Sequence, residues 1–278
     1  MIRPRYVVVG HVARDRMPHG WTFGGTAFYS ALTAQALGAC VTSVTRLRST
    51  DAELLSQRYP KVDWQVRPAS RTTTFTNRLT PAGRTQHMSV PAPAVVAADL
   101  ARTVGDATVV HLAPIAGEIS PRILDALPTK ALVGITGQGM LRSRRANGAI
   151  AWKSWRSHRR YLARADVLVL SDEDIRGDPK AGRRYLEAAR LGVLTRGALP
   201  LLVFESGVTR EFPTVPARER DPLAAGDVFA AALFMGLARR WVVDKSLRYA
   251  TAAAAIWIER AESRAFPTDA NVRRRIAT

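Results

Sequence analysis

Short apolar runs rich in β-branched residues recur along the chain, and segments with helical spacing of apolar positions separate them. The strand-like runs cover residues 6–10, 40–44, 107–112, 131–135, 167–170 and 199–204. The helix-like segments cover residues 26–37, 121–127, 152–163, 182–190 and 228–237. Strands that alternate with helices over such distances predict an α/β fold, with a mostly parallel sheet covered by helices.

The stretch 62–90 interrupts this alternation. Residues 72–80 are rich in threonine and lack helical periodicity, and Pro81, Ala82 and Gly83 indicate a turn before the strand-like run 84–90. Two such runs joined by a turn predict a β-hairpin. Between α/β units, a hairpin is either a flap over a ligand site or an ordinary edge hairpin, and the pattern leaves both open.

The composition is that of a globular protein. The chain has 278 residues, of which 47% are hydrophobic and 23% charged, so extensive disorder is excluded. The single Cys40 excludes a disulfide scaffold and fits a reducing compartment. No apolar run approaches the ~20 residues of a membrane-spanning helix, and the N-terminus has no signal-peptide pattern, so we expect a cytoplasmic protein without a membrane partner.

The formal net charge of +18 comes almost entirely from arginine, which accounts for 36 of the 41 basic residues. A basic surface can bind nucleic acid or another polyanion. The large excess of arginine over lysine is equally what a compositional bias produces. We therefore expect mostly solvated arginines and no nucleic-acid partner.

A run of small residues, DPLAAGD at 221–227, precedes the apolar segment that begins at Val228. Such a run at the start of a buried helix leaves backbone N–H groups free, and the helix dipole adds partial positive charge, so phosphate binds well there. Asp227 in the first turn would accept a proton from a hydroxyl that attacks the phosphate. Alternatively, Asp227 only caps the helix. No Walker A motif is present, so a P-loop kinase is not expected.

The run 221–227 resembles the D-[TP]-x-G-A-G-D signature of the ribokinase-like (PfkB) carbohydrate kinases. The run GGTAFYSA at 24–31 resembles the N-terminal Gly-Gly signature of the same family. The resemblance extends over about 7–267. It implies a ribokinase-like three-layer α/β/α sandwich as a single kinase domain over 1–278, with a small β-hairpin lid from roughly 12–24 and 62–90.

The resemblance also implies an activity, which is transfer of the γ-phosphoryl group of ATP, with Mg²⁺, to a hydroxyl of a sugar, polyol or nucleoside. It makes Asp227 the general base and the backbone of Ala224, Ala225 and Gly226 an anion hole. The substrate-binding residues that it implies are Asp15, Gly24, Gly25, Tyr29, Thr74, Gln138 and Arg142. The nucleotide-binding residues are Thr195, Gly197, Asp221 and Ala253, and the magnesium-associated residues are Glu173 and Asp174.

The chain departs from the family pattern in two places. Ala224 replaces the first anion-hole glycine, which costs about 1 kcal/mol if the position needs a positive φ. Ser171 and Asp174 stand in the N-x-x-E motif. A second hypothesis is therefore a catalytically degenerate member that binds a nucleotide, a sugar or nucleic acid as a regulator.

The acceptor side resembles the inositol-kinase-like branch. Tyr29 occupies a position where many sugar kinases have asparagine, and Gln138 and Arg142 match a Q-A/G-x-[IL]-R stretch of that branch. This suggests a cyclic polyol such as myo-inositol, although Tyr29 could equally be a packing residue. Lid hairpins of this family can pair between subunits, so a homodimer stays open.

Overall fold

The structure is a computed structural model that describes residues 3–80, 83–100, 103–260 and 265–277, without the side chains of 77–80 and 83–85. The strands are β1 (Arg5–Val9), β2 (Ala13–Met17), β3 (Gly20–Gly24), β4 (Cys40–Leu47), β5 (Asp63–Pro68), β6 (Thr74–Thr80), β7 (Gly83–Met88), β8 (Val109–Leu112), β9 (Leu132–Thr136), β10 (Arg142–Arg144), β11 (Ile150–Trp152), β12 (Val167–Ser171), β13 (Leu191–Arg196), β14 (Leu199–Glu205) and β15 (Val208–Phe212). The α-helices are α1 (Thr26–Ala36), α2 (Ser49–Arg58), α3 (Ala97–Leu100), α4 (His158–Leu162), α5 (Asp172–Ile175), α6 (Pro179–Glu187), α7 (Ala225–Ala238), α8 (Val243–Glu259) and α9 (Asp269–Ala277). Short 3₁₀ helices cover Pro121–Ala126 and Gln138–Leu141.

The central sheet has the strand order β15-β14-β13-β12-β9-β8-β1-β4-β5. The strands from β13 to β5 run parallel, and β14 and β15 join antiparallel at one edge. Side chains alternate between the two faces: Tyr6 and Val8 enter one core, and Val7 and Val9 enter the other. Burial on both faces gives parallel strands their continuous apolar sequence, so the predicted mostly parallel sheet is confirmed.

Helices cover both faces of this sheet. The residues of α1, α7, α8 and α9 pack in the core on one face, and those of α3 to α6 pack in the core on the other. The predicted three-layer α/β/α sandwich is therefore confirmed. The helix α7 is apolar nearly all round because it lies between the sheet, α1 and α8. Among the described residues, no helix has the length and apolar composition to cross a membrane.

The lid is a separate four-stranded sheet with the order β3-β2-β6-β7. The predicted hairpin is formed by β6 and β7, which pair antiparallel; Pro81 and Ala82 of its turn lie outside the described residues. The expected range 62–90 begins too early, because β5 pairs with β4 in the central sheet and not with the lid. The second part of the lid therefore begins at Thr74.

The segment 152–163 is not the helix that its spacing predicts. Only His158–Leu162 is α-helical, and Ile150–Trp152 pairs antiparallel with Arg142–Arg144. Asn147 and Gly148 lie between these strands, and Gly148 has a φ of 88°. Asn-Gly is a strong hairpin signal because both residues tolerate a positive φ. The resulting hairpin contacts the lid, since the Met88 N–H donates to Gly148 O at 2.8 Å.

Candidate active site

The N-termini of α1 and α7 meet beside the carboxyl ends of the parallel strands. The Ser30 hydroxyl, in the first turns of α1, donates to the backbone oxygen of Asp227 in α7 at 3.3 Å. Gln138 follows the carboxyl end of β9 and reaches the start of α1, where its side-chain amide donates to the Thr26 hydroxyl. The carboxyl edge of an open α/β sheet is where such folds bind ligands, so this junction is the candidate active site.

Asp227 is the carboxylate at the centre of this junction. Protein surrounds it on most sides although it keeps some solvent exposure, and burial raises its pKa to about 7. A hydrogen bond from Thr26 and the charge of Arg142 oppose that rise in pKa, whereas the charges of Asp174 and Asp15 add to it. A carboxylate whose pKa is about 7 suits proton transfer near neutral pH.

Thr26 is a further site residue, which was not among those predicted from the sequence. Its side chain is fully buried, and its hydroxyl contacts both Asp227 and Gln138. The amide of Gln138 donates to this hydroxyl, so the hydroxyl hydrogen is directed to the carboxylate. A threonine that begins a helix carries no sequence signal of this role, because the partner in α7 is about 200 residues away.

The expected anion hole lies at the start of α7. Ala224 has φ 63° and ψ 14°, which is the left-handed conformation in which a residue with a Cβ is strained. The Ala225 N–H donates to Pro222 O at 3.1 Å, so it is already engaged in a turn. A Cβ added to Gly226 would meet nothing within 4 Å. Of the three expected donors, Gly226 therefore borders open space most directly.

On the acceptor side, the Asp15 carboxylate of β2 packs against Gly24 of β3, the neighbouring strand of the lid. A Cβ at Gly24 would lie 1.9 Å from Asp15 Oδ2, so only glycine leaves room for this carboxylate. Gly25 has φ 88°, and a Cβ there would lie 2.9 Å from His11 O. Asp15 is 8% exposed and, like Arg142, acts electrostatically on Asp227. The structure therefore brings Asp15, Gly24 and Arg142 to the same junction.

Two other expected acceptor residues, Thr74 and Tyr29, have different surroundings. Thr74 pairs with Arg14 across β2 and β6, while Asp15 pairs with Phe75. Neighbouring strand residues point to opposite faces, so Thr74 lies on the lid face away from Asp15, and its role in substrate binding stays a prediction. Tyr29 packs edge-on against Trp257 of α8, with ring centroids 6.0 Å apart. This contact favours the packing role.

The expected nucleotide-binding residues differ in how far they are exposed. Thr195 is the last residue but one of β13, and its hydroxyl donates to Leu170 O at 3.4 Å. Gly197 has φ 59° and lies beside open space. Asp221 lies four residues before Ala225, at the start of α7. Ala253 has no exposed surface and packs inside the core, and its contact with a nucleotide stays a prediction. Its neighbour Ala254 is partly exposed.

The magnesium-associated residues lie at the start of α5. Asp174 Oδ2 accepts from the Ser171 N–H at 2.9 Å, and the Asp174 N–H donates to the Ser171 hydroxyl at 3.2 Å, which together form a capping box. Glu173 is exposed in the same turn. In the part of the chain that is described, no three His, Cys, Asp or Glu residues gather as a metal site. The two carboxylates of Glu173 and Asp174 nevertheless fit a Mg²⁺ ion whose other ligands are water and phosphate oxygens, because Mg²⁺ needs only one or two protein carboxylates.

The fold agrees with the comparison to known protein families. The description "pfkB family carbohydrate kinase" matches residues 21–270, which is most of the chain. The chain therefore belongs to the PfkB family of carbohydrate kinases, as the signatures at 24–31 and 221–227 predict. A search of curated proteins finds no significant match.

Solved structures with the same fold include several kinases of the ribokinase family. A pyrophosphate-dependent kinase complexed with a pyrophosphate analogue and myo-inositol is 20% identical with a TM-score of 0.80, over 96% of this chain and 99% of that chain. Ribokinase of Arabidopsis thaliana, with ribose and ATP, is 18% identical with a TM-score of 0.76 over the whole of both chains. A Burkholderia thailandensis nucleoside kinase, with inosine, is 18% identical with a TM-score of 0.75 over 98% and 96%. At these identities, the likeness establishes the fold.

Proposed function

We propose that the protein is an ATP-dependent kinase that phosphorylates a hydroxyl of a sugar, polyol or nucleoside, as a single domain over 1–278. The observation that carries the proposal is the position of Asp227. It is a carboxylate with a pKa of about 7 in the first turn of α7, next to Gly226 with its open surroundings. A base and an anion-binding backbone are thus adjacent, which is the arrangement that transfer of a phosphoryl group to a hydroxyl requires.

In this mechanism, Asp227 accepts the proton of the attacking hydroxyl as the bond to phosphorus forms. The bond between the transferred phosphorus and its leaving oxygen breaks, and the charge remains on the leaving phosphate. The Gly226 N–H and the start of α7 stabilise the negative charge of the transferred group. Thr26 keeps the carboxylate oriented, and Arg142 favours its ionised form. A bound Mg²⁺, held through water by Asp174 and Glu173, would neutralise charge on the donor phosphates.

The acceptor is bound by its hydroxyl groups. Asp15 is a carboxylate nearly free of solvent on the inner face of the lid, and a carboxylate accepts hydrogen bonds from several hydroxyls. Gln138 and Arg142 add an amide and a guanidinium at the same junction. We propose myo-inositol or a similar cyclic polyol as the first acceptor to test. The cytoplasmic location and a homodimer through the lid remain predictions.

Inorganic pyrophosphate is a second candidate donor. The expected adenine contact Ala253 is fully buried, and the backbone at the start of α7 can bind a phosphate whether or not the donor carries a base. The start of α7 would then bind the phosphate of a donor that has no nucleoside, and the phosphoryl group would be transferred from that donor. Pyrophosphate-dependent kinases with this fold exist among the similar structures.

The test is a matrix of donors and acceptors. Purified protein is incubated with ATP or pyrophosphate, Mg²⁺, and each member of a panel of sugars, polyols and nucleosides, and the phosphorylated product is measured. We expect turnover that Asp227→Asn lowers by about 10²- to 10⁴-fold, the usual contribution of a general base. We also expect kcat to rise with pH through about 7, as Asp227 ionises.

The regulator hypothesis predicts the opposite result. If no donor supports turnover, or if Asp227→Asn is as active as the wild type, the catalytic assignment is wrong. In that case, thermal shifts with sugars and nucleotides would identify a bound ligand, because binding to the native state raises the melting temperature. A gel-shift assay with duplex DNA at physiological salt would separately test binding through the arginines.

A further inference from the structure

The last turn of α8 holds the segment that leads into the proposed anion hole. The N–H groups of Arg220 and Asp221 both donate to Ile258 O, at 2.9 and 3.2 Å. The indole N–H of Trp257 donates to Leu223 O at 2.7 Å. Backbone and side-chain bonds therefore fix this segment to α8 immediately before Ala224.

Arg260 adds a charged contact to the same segment. Its Nη2 lies 3.1 Å from Asp221 Oδ2, its Nη1 donates to Trp257 O, and its Cζ lies 3.2 Å from the centroid of the Trp257 ring. Asp221 in turn accepts the Leu223 N–H through Oδ1 at 3.0 Å. Only 9% of the Arg260 side chain is exposed. A guanidinium is rarely buried unless it is paired and hydrogen-bonded, as this one is.

The residue next to this contact has a strained backbone. Ala224 is left-handed, a conformation that is unfavourable for any residue with a Cβ. Such backbone persists only where the surrounding structure fixes it. Asp221 and Leu223, which Arg260 and Trp257 hold, are the residues that lead directly into this conformation.

We infer that Arg260 is a positioning residue for the anion hole. Its guanidinium fixes Asp221 and, through it, the turn at Leu223 and Ala224 that aims the first N–H groups of α7. Its charge is paired with Asp221, so its contribution is to hold this turn. Arginine suits this position better than lysine, since its planar group can pair with a carboxylate and stack on an indole at once.

Arg239 provides a matched control. It also pairs with an aspartate, Asp269, at 2.7 Å and lies over a tryptophan, Trp241, at 5.1 Å, with 19% of its side chain exposed. It follows the other end of α7, and a helix of 14 residues is about 20 Å long. Arg239→Ala therefore removes a comparable stabilising contact without touching the anion-hole segment.

The first measurement is steady-state kinetics, which rests on the proposed function. We expect Arg260→Ala to lower kcat by roughly ten- to a hundred-fold, the effect of displaced groups in an active site. The KM for the acceptor should change little. Millimolar guanidinium should restore part of kcat in this variant, and Arg260→Lys should recover less than the wild type. Arg239→Ala should keep kcat, with or without guanidinium.

The second measurement is amide hydrogen exchange, which needs no activity. We expect faster exchange over residues 220–228 in Arg260→Ala and unchanged exchange there in Arg239→Ala. Wild-type exchange over 220–228 in Arg260→Ala overturns the inference, whatever the kinetics show. Faster exchange in a protein without turnover on any donor would instead support the role of Arg260 and reject the kinase function.

Discussion

The Thr26 hydroxyl hydrogen-bonds the Asp227 carboxylate and so links the first turn of α1 to the first turn of α7. The bond lowers the pKa of Asp227, against burial, which raises it. The Gly-Gly signature and the DPLAAGD run are thus joined by one side-chain contact. The two signatures form a single site because Thr26 follows Gly25 directly and Asp227 closes the second run.

Removing this hydroxyl should shift the pH dependence of turnover. In Thr26→Ala, the pKa of Asp227 rises further because its hydrogen-bond donor is lost, so the base is protonated over a wider range. We expect the midpoint of kcat against pH to move to higher pH. Thr26→Ser should retain the wild-type midpoint. Thr33→Ala is the control, since Thr33 is also fully buried in α1 but donates to Tyr29 O; an equal shift in that variant would contradict the prediction.

A methyl group at Gly24 should weaken acceptor binding. Its Cβ would overlap Asp15 Oδ2, so the carboxylate must move from its position on the inner face of the lid. Loss of a hydrogen bond to a charged group costs about 1.5–3 kcal/mol, or roughly ten- to a hundred-fold in affinity. We therefore expect Gly24→Ala to raise the KM for the acceptor by that factor. Gly105→Ala, where a Cβ meets nothing, should leave KM unchanged.

Glycine at position 224 should stabilise the protein. The left-handed backbone of Ala224 costs about 1–2 kcal/mol for a residue with a Cβ. Glycine also has more conformational entropy than alanine in the unfolded chain, and this lowers the gain in unfolding free energy by about 0.4–1 kcal/mol. We expect Ala224→Gly to raise the free energy of unfolding by up to about 1 kcal/mol in urea titrations. Ala52→Gly, inside α2, should lower it, and an equal loss in both variants would show that Ala224 is unstrained.

The fold was more predictable than the details of the site, for physical reasons. The central strands β1, β8 and β12 and the middle of α7 are buried on all sides, so their apolar runs are continuous and recognisable. The face of the lid on which Thr74 lies could not be predicted from the sequence. The register of a strand decides which face a residue occupies, and a shift of one residue moves it to the opposite face. The burial of Ala253 depends on which face of an alanine-rich helix packs inward, and the spacing of small residues does not determine that face.

His111 should make the stability of the central sheet depend on pH. Its ring is fully buried, with Nδ1 2.9 Å from the Tyr6 hydroxyl and Nε2 3.0 Å from the Thr136 hydroxyl. Burial lowers its pKa to about 3, below the usual 6.5. The unfolded chain therefore takes up a proton that the native state excludes. The contribution of neutral His111 to the free energy of unfolding is therefore present in full above about pH 6.5 and declines as the pH falls toward 3.

The comparison of wild type with His111→Gln isolates this effect, because the other titrating groups are common to both proteins. At pH 7 the variant should be less stable by about 1–3 kcal/mol, since the hydrogen bonds of Tyr6 and Thr136 are disturbed. Below pH 6.5 the wild type should lose up to about 1.4 kcal/mol per pH unit relative to the variant. The difference in unfolding free energy should therefore shrink between pH 6.5 and 4.5. A constant difference over that range would mean that His111 is protonated in the native state, which the burial of its ring argues against.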